Sequence, residues 1–438
     1  MFKSWFDRAR AQSRGDGLRA RLIRGGLGSA GIQALNRILA LALGIVLARG
    51  LGAEGYGTYA YAFAIMSLLM VAAEAGVPTL LLREVAAAHG QQRWGLLRGA
   101  LIRSGQLVLL ASVSVSVVGL LMLWAMAGRL SAAQLYTMLL VLLMLPLAAL
   151  TKTIAGAMRG LHRVVVGQAV DLLLRPLLVL MGVGSLFLLA PALRQPQYAM
   201  AAQLAAAGVV LLVGGWMLSR YLPAASRTHP AEYQSRQWLK SALPFTLIGG
   251  AGIINNQADI IMLGWFRPPD DVGIYRIATQ AGILVWFLIQ AAQGVLSPVF
   301  SQLYSVHDMA KLKRLFRISS FVVFIFTVPI ALVLVVFGQN LISFIFGHEY
   351  LPAAAPLAVL AVGYLLNVAF GPVGLLLQMV GREKVTAKIL WLTVVVNLLL
   401  NFSLIPPYGS TGAAFSTSVS VVMYHAILRY IVWREIRI

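Results

Sequence analysis

Six charged residues, Arg37, Glu74, Asp171, Arg175, Asp259 and Arg276, fall inside or at the rims of long apolar runs. A charge at the centre of a hydrocarbon layer costs about 2.5–3.5 kcal/mol on insertion scales, so each needs a partner or a task. Their charges sum to zero, which makes pairing the first expectation. Asp171 and Arg175 stand one helical turn apart and are expected to neutralise each other. Glu74 and Arg83 flank one end of an apolar run and suit a structural pair or a gate. Arg37 shares a face with Gln33, Ala40 and Gly44, all polar or small and spaced by three or four. Such a face suits a cavity. The guanidinium fork donates two hydrogen bonds and so matches a diphosphate; an ion pair with an acid is the alternative. Further along, Gly252, Asn255, Asn256 and Asp259 fall on one side of a helix, with Arg276 just inside the next run. Two roles are open to Asp259: holding Arg276 in place, or binding a coupling cation or proton.

No enzyme constellation accompanies these charges. His425 sits in an apolar run without a spaced acid or nucleophile, and His348-Glu349 is an adjacent pair rather than a metal-ligand spacing. No glycine-rich loop ends in Lys-Ser or Lys-Thr, so ATP hydrolysis by this chain is not expected. Cysteine is absent, which removes disulfide frameworks and thiolate metal sites. No catalytic residue and no resident metal or cofactor is expected.

The elements that position the charges follow from composition. The chain has 438 residues, 60% of them hydrophobic and 11% charged, against about 25% charged in soluble domains. Its apolar surface is too large to hide in its own core, so part of it must face lipid. About 20 mostly apolar residues cross a bilayer. About twelve such runs are predicted, at roughly 26–49, 57–77, 104–127, 134–157, 165–190, 199–219, 241–264, 273–298, 317–338, 353–379, 387–405 and 411–432. The first is too long for a cleaved signal peptide and is expected to be retained.

The net charge of +21 could suggest nucleic acid until the charges are located. Twenty-eight Lys and Arg residues lie in the termini and alternate connections, and four (Arg49, Arg129, Arg194 and Arg267) lie in the others. That bias predicts both termini on the cytoplasmic side of the membrane, with no nucleic-acid partner. Phe2, Trp5 and Phe6 beside basic residues could lay the tail on the membrane surface, and a disordered tail is the alternative.

The sequence also repeats itself. Gly57-x-Tyr59 reappears as Gly273-x-Tyr275, an offset of 216, and "MRGLHRV" at 158–164 is echoed by "MVGREKV" at 379–385, an offset of 221. Similar offsets at equivalent joints imply two parallel six-helix lobes, 25–220 and 241–438, around a central cleft. A basic cytoplasmic tail (1–24) and a charged cytoplasmic connector (221–240) acting as a hinge complete the expected organisation. The Gly-x-Tyr phrase itself suits a tight turn at a helix entrance and a tyrosine at the lipid–water boundary, with ligand contact as the alternative.

"LARGLGAEGYGTYAYAFAI" (47–65), "LLLREVA" (80–86), "ADIIMLGWF" with "VGIYRIATQ" (258–280) and "YGSTGAAFSTSVS" (408–420) resemble the Wzx-type oligosaccharide flippases. These are polysaccharide biosynthesis proteins of the multidrug/oligosaccharidyl-lipid/polysaccharide exporter superfamily. The resemblance runs from about residue 20 to the C-terminus. It implies a flippase that moves an undecaprenyl-diphosphate-linked oligosaccharide between leaflets by alternating access, for O-antigen, capsule or exopolysaccharide. Coupling to a Na+ or H+ gradient is open. Membrane lipids, a polysaccharide polymerase and glycosyltransferases are the implied partners. With that cargo, Arg37, Arg175, Arg276, Asn255 and Asn256 become candidate cavity residues. Asp259, Asp171 and Glu74 become coupling or pairing groups, and Arg83 a gate. Tyr364, Asn367, Gly371 and Gln378 share a face, as do Asn397 and Asn401; their polar groups suit either sugar hydroxyls or bonds between helices. A multidrug exporter is the nearest rival, but it would favour acidic and aromatic residues for cationic cargo. A membrane glycosyl polymerase or ligase would need a sizeable catalytic loop, which is not seen.

The charge split is tested by topology reporters. Fusions after Arg227 and Arg437 should read cytoplasmic and one near Arg129 periplasmic; a periplasmic reading after Arg437 would overturn the twelve-span topology.

Overall fold

The computed structural model describes residues 18–436. Phe2, Trp5 and Phe6, with most of the basic tail, lie outside the described residues. Among the described residues the secondary structure is helical throughout. In chain order the helices are α1 (Leu18–Glu74), α2 (Val77–Gly90), α3 (Trp94–Met126), α4 (Ala132–Gly160), α5 (Val164–Ala169), α6 (Arg175–Leu189), α7 (Pro196–Tyr221) and α8 (Ala225–Thr228). There follow α9 (Ser235–Phe266), α10 (Pro269–Ser305), α11 (Met309–Val336), α12 (Gly338–Ile345), α13 (Ala354–Ala369), α14 (Val373–Met379) and α15 (Glu383–Ile431).

Eight described helical segments are long and apolar enough to cross a membrane. Two of them hold a pair of spans each. α1 bends at Gly52, whose φ of 68° and ψ of 178° leave the helix, and α15 bends at Gly409, with φ 54°. With α9 and α10, these segments account for all twelve predicted runs. The apolar surface is turned outward as lipid contact requires: Trp124, Leu189 and Phe344 are each more than 80% exposed.

The chain forms two compact units, one running up to Leu47 and then Met66–Gly249, the other Ala48–Ile65 and Gly250–Ile438. Their internal geometry repeats. Four helices end in the same left-handed turn, with positive φ at Gln92, His162, His307 and Gly381. In each, the next backbone N–H reaches back five residues: Arg93 to Ala88, Arg163 to Met158, Asp308 to Leu303 and Arg382 to Leu377. This Schellman closure satisfies carbonyls that a helix end would otherwise leave bare. Gln92 pairs with His307 at an offset of 215, and His162 with Gly381 at 219. The second pair lies within the echoed phrases at 158–164 and 379–385. At one of these turns Asp308 caps α11. Hydrogen bonds from the Lys311 ammonium and backbone N–H hold its carboxyl below the usual carboxylate range.

The Gly-x-Tyr phrase proves to be a helix crossing rather than a turn. A Cβ on Gly57 would lie 1.6 Å from the Pro269 carbonyl oxygen, and one on Gly273 would lie 2.3 Å from that of Ala53. Each glycine thus receives the carbonyl four residues before the other, and the two contacts mirror each other. Only glycine permits backbones this close. The tyrosines are not at a boundary either: Tyr59 and Tyr275 are buried. Beside the crossing, Glu349 Oε1 accepts from Ala53 N at 2.9 Å, capping the restarted helix after Gly52. Arg49 donates to the Phe344 and Ile345 carbonyls at the end of α12.

The connector expected as a hinge is instead fastened to the first unit. Arg98 Nη1 donates to the carbonyls of Arg227 and His229, Arg103 Nε to Ser235 Oγ, and Glu232 N to Gly95 O. Trp238 is buried among Leu80, Leu81, Leu97 and Ala157. Large apolar burial of this kind, about 1.5–3 kcal/mol per side chain, anchors a segment rather than freeing it.

The crossing yields a direct test. Gly57→Ala and Gly273→Ala should each cost about 1–3 kcal/mol as overpacking, read as earlier thermal unfolding of the purified protein. Gly252→Ala, where nothing lies within 4 Å of the added Cβ, should leave it unchanged. Equal behaviour of all three variants would remove the close-crossing account.

Candidate functional site

Asp259, on α9, is the centre of the most developed polar cluster. It is buried, and the bends and helix crossings of the second unit bring three neutral donors to it. Tyr275 OH on α10 donates to Oδ2 at 2.6 Å, Thr417 Oγ1 on α15 donates to the same oxygen at 2.5 Å, and Asn401 Nδ2 donates to Oδ1 at 2.6 Å. Asn401 also donates to Asn397 Oδ1 at 3.1 Å, one turn earlier on α15. Among the described residues no Lys or Arg forms an ion pair with Asp259. A carboxylate surrounded by hydroxyl and amide groups can keep its charge through hydrogen bonds, take up a proton, or share its oxygens with a small cation.

Pairing of Asp259 with Arg276 is therefore not found. Arg276 instead lies within electrostatic reach of the Tyr56 hydroxyl, which donates to Gln280 Oε1 at 3.0 Å. The Tyr56 ring meets Tyr350 edge-on at 6.4 Å, and Tyr350 OH donates to Ala48 O. Arg276 is half-buried in this aromatic and amide setting, the residue after Tyr275 on α10.

The expected Asp171–Arg175 pair does not form either. A π-turn over Val170–Leu174 interrupts the regular helix on which the four-residue spacing relies. Arg175 extends toward Met144 Sδ at 3.8 Å, and Asp171 takes part in no ion pair among the described residues. Glu74 is bound to Lys152 Nζ at 2.6 Å rather than to Arg83. Arg83 contacts Glu84 at 2.8 Å and lies over the Phe245 ring. The two corrections have different causes: a π-turn breaks the spacing of the first pair, and Lys152, brought in from α4, takes Glu74 from the second.

Arg37 is half-buried on α1, with Gly44 of its stripe buried and Gln33 donating to Ser29 Oγ. Asn255 is half-buried on α9. Asn256 is exposed there and donates back to Gly252 O at 2.7 Å, so its amide nitrogen is occupied locally. Arg37, Arg175, Asp171, Glu74 and Arg83 belong to the first unit, and Asn255, Asn256, Asp259 and Arg276 to the second. Spacing could not single out Thr417, Tyr56 or Lys152. Their partners lie far away in sequence, and the legible signals were only the Asn397–Asn401 face and the Tyr275 phrase.

A sequence profile for polysaccharide biosynthesis proteins matches residues 22–304. The chain belongs to the polysaccharide biosynthesis protein family. A second profile, MatE, matches residues 253–403, the stretch that carries Asp259, Asn397 and Asn401. A relative from Haloferax volcanii, "Probable low-salt glycan biosynthesis flippase Agl15", is 25% identical over 214 residues, which cover 49% of this chain and 45% of that one. The chain thus spans less than half the length of that relative. Among solved structures, an inward-facing multidrug resistance MATE family transporter of the MOP superfamily aligns with a TM-score of 0.74 at 15% identity, covering 94% of this chain and 98% of that one. The lipid II flippase MurJ, in an inward closed conformation, aligns at 0.72 and 16%, covering 93% and 87%. These likenesses establish the fold: an all-α, multi-pass membrane architecture.

Proposed function

We propose that this protein is a flippase for a lipid-linked oligosaccharide, most specifically an undecaprenyl-diphosphate-linked unit carried from the cytoplasmic to the periplasmic leaflet by alternating access. The observation that carries the reading is the company kept by two guanidiniums inside apolar helices. Arg175 faces a thioether and Arg276 a tyrosine hydroxyl, and neither joins a carboxylate among the described residues. Their charge is left available for an anion, and a diphosphate accepts the bidentate bonds a guanidinium offers. Arg37 joins them as a cargo residue on the strength of its place on a small-polar face. The family and the glycan-flippase relative support the same cargo class. The products would serve surface polysaccharide assembly, and the polymerase and glycosyltransferases of that route are the fitting partners. The 28-to-4 basic bias supports an inner-membrane protein with cytoplasmic termini.

Asp259 supplies the coupling element of this proposal. Its neutral hydrogen-bonding shell suits exchange of a proton or Na+, and its isolation from basic side chains leaves that charge for the ion. The MatE match over the same residues and the fold shared with a multidrug transporter would also fit a cation exporter. The intramembrane arginines argue against cationic cargo.

The test is accumulation of lipid-linked glycan on the cytoplasmic side of a strain dependent on this protein. Translocation should fall in the order wild type, Arg37→Lys, Arg37→Ala, and likewise for Arg276. Loss of a charge-assisted bond is worth about 1.5–3 kcal/mol, roughly ten- to a hundredfold in affinity. Asp259→Asn should expose the coupling step by slowing transport without abolishing cargo binding. Full surface polysaccharide from well-expressed Arg37→Ala would reduce that residue to a structural role and leave Arg276 and Arg175 as the diphosphate ligands. Full activity of all three alanine variants would contradict the anionic-cargo reading.

A further inference from the structure

The second unit contains a cavity that none of the charged residues touches. It measures about 170 Å³ and lies among α10, α11, α13, α14 and α15, with Gln293, Ser320, Asn367, Gln378, Tyr424 and His425 providing its polar lining. Its volume is on the scale of an engineered cavity of about 150 Å³ that admits a single six-membered ring. It falls below the roughly 300–1,000 Å³ of drug-sized sites.

Three features make it a built site rather than a packing fault. Asn367 is 3% exposed, yet its Nδ2 has no hydrogen-bond partner among the described residues. An amide left unpaired at that depth is costly and asks for an acceptor. The His425 ring lies with Nδ1 2.9 Å from the Val421 carbonyl, an arrangement that fixes the proton on Nδ1 and leaves Nε2 as an acceptor. The Tyr424 ring stands edge-on to it at 4.9 Å. Finally, the predicted run 353–379 is broken beside the cavity. α13 stops at Ala369, Gly371 turns left-handed at φ 76°, and Pro372 precedes α14. In the first unit α4, which occupies the equivalent place before the echoed turn, runs unbroken over Ala132–Gly160. Broken backbone at membrane depth is tolerated where it lines a cavity, and interrupted spans mark binding sites in transporters.

We propose that this cavity binds one neutral sugar ring. An unpaired N–H donor, a ring-nitrogen acceptor and two glutamine amides call for groups that both donate and accept, as hydroxyls do. No Asp, Glu, Lys or Arg lines the cavity, which excludes the diphosphate and any ionic ligand. The Tyr424 ring and the apolar walls match the C–H faces of a pyranose. The choice of a sugar over another polyol rests on the proposed glycan cargo, whose reducing-end or neighbouring ring would occupy the site.

The chain contains no cysteine, so a single Val323→Cys reports occupancy without removing a polar lining group. Val323 is half-buried on α11 and lines the cavity. In purified protein in nanodiscs, alkylation of this thiol by maleimide should slow about tenfold in ~10 mM methyl glycoside if the site binds with a Kd near 1 mM. Glucose 6-phosphate at the same concentration should not protect. Adding Gly374→Leu should abolish protection by filling the cavity; a Cβ there meets Leu428 Cδ1 at 3.5 Å, an ordinary contact. Asn367→Leu should weaken protection while keeping the side-chain shape. Unchanged alkylation in every neutral glycoside, or protection that survives Gly374→Leu, would overturn the proposal. Protection by phosphoinositide vesicles but by no free glycoside would reassign the cavity to a lipid headgroup. The assay needs no lipid-linked cargo, so a failure of the flippase reading and a failure of this site are separately visible.

Discussion

Hydrocarbon supplies no hydrogen bonds, so every polar group carried into the membrane must find its partner within the protein. Asp259 shows how fully that requirement shapes this chain. One buried carboxylate collects Tyr275, Asn401 and Thr417 from two other helices, and the placement of α9, α10 and α15 follows from satisfying it together with their apolar faces. The same demand explains why Glu74 sits against Lys152, why Arg49 closes the end of α12, and why Glu349 caps the helix that restarts after Gly52. Groups that the protein leaves incompletely served, the Arg175 and Arg276 guanidiniums and the Asn367 amide, are then the places where a ligand is expected.

Glycine solves a second constraint. Gly57 and Gly273 let two backbones meet where any side chain would collide with a carbonyl. The repeated phrase is therefore the trace of one contact made twice, once from each partner. The four Schellman turns extend the repeat to the opposite loops. The two halves depart from it where the chain breaks, at Ala75–Gly76 in the first half and at Gly371 in the second.

Much of the architecture was legible because it rests on local quantities. Run lengths of apolar residues, the alternation of Lys and Arg, and the Gly-x-Tyr echo are properties of the sequence alone, and they led to twelve spans in two halves. The pairings were less legible. Asp171 with Arg175 and Glu74 with Arg83 were natural neighbours by spacing, but a π-turn and the arrival of Lys152 from α4 redirected them. Asp259 found Asn401 and Thr417 more than a hundred residues away. Periodicity placed Asn397 with Asn401, and Asn367 with Gly371 and Gln378, on shared faces. It could not say that one pair joins a carboxylate cluster and the other set lines a cavity. The connector read as a hinge from its charge and position; Trp238, seated in the first unit, made it a strap.

The proposed activity is transport of a lipid-linked glycan across a bilayer. The most direct measurement places the purified protein in vesicles containing undecaprenyl-diphosphate oligosaccharide and adds a membrane-impermeant glycan-cleaving enzyme outside. The account predicts that protein-containing vesicles expose the inner-leaflet pool to cleavage, and that the Arg276→Ala protein does so more slowly. Cleavage confined to the outer-leaflet pool with correctly folded, reconstituted protein would contradict it.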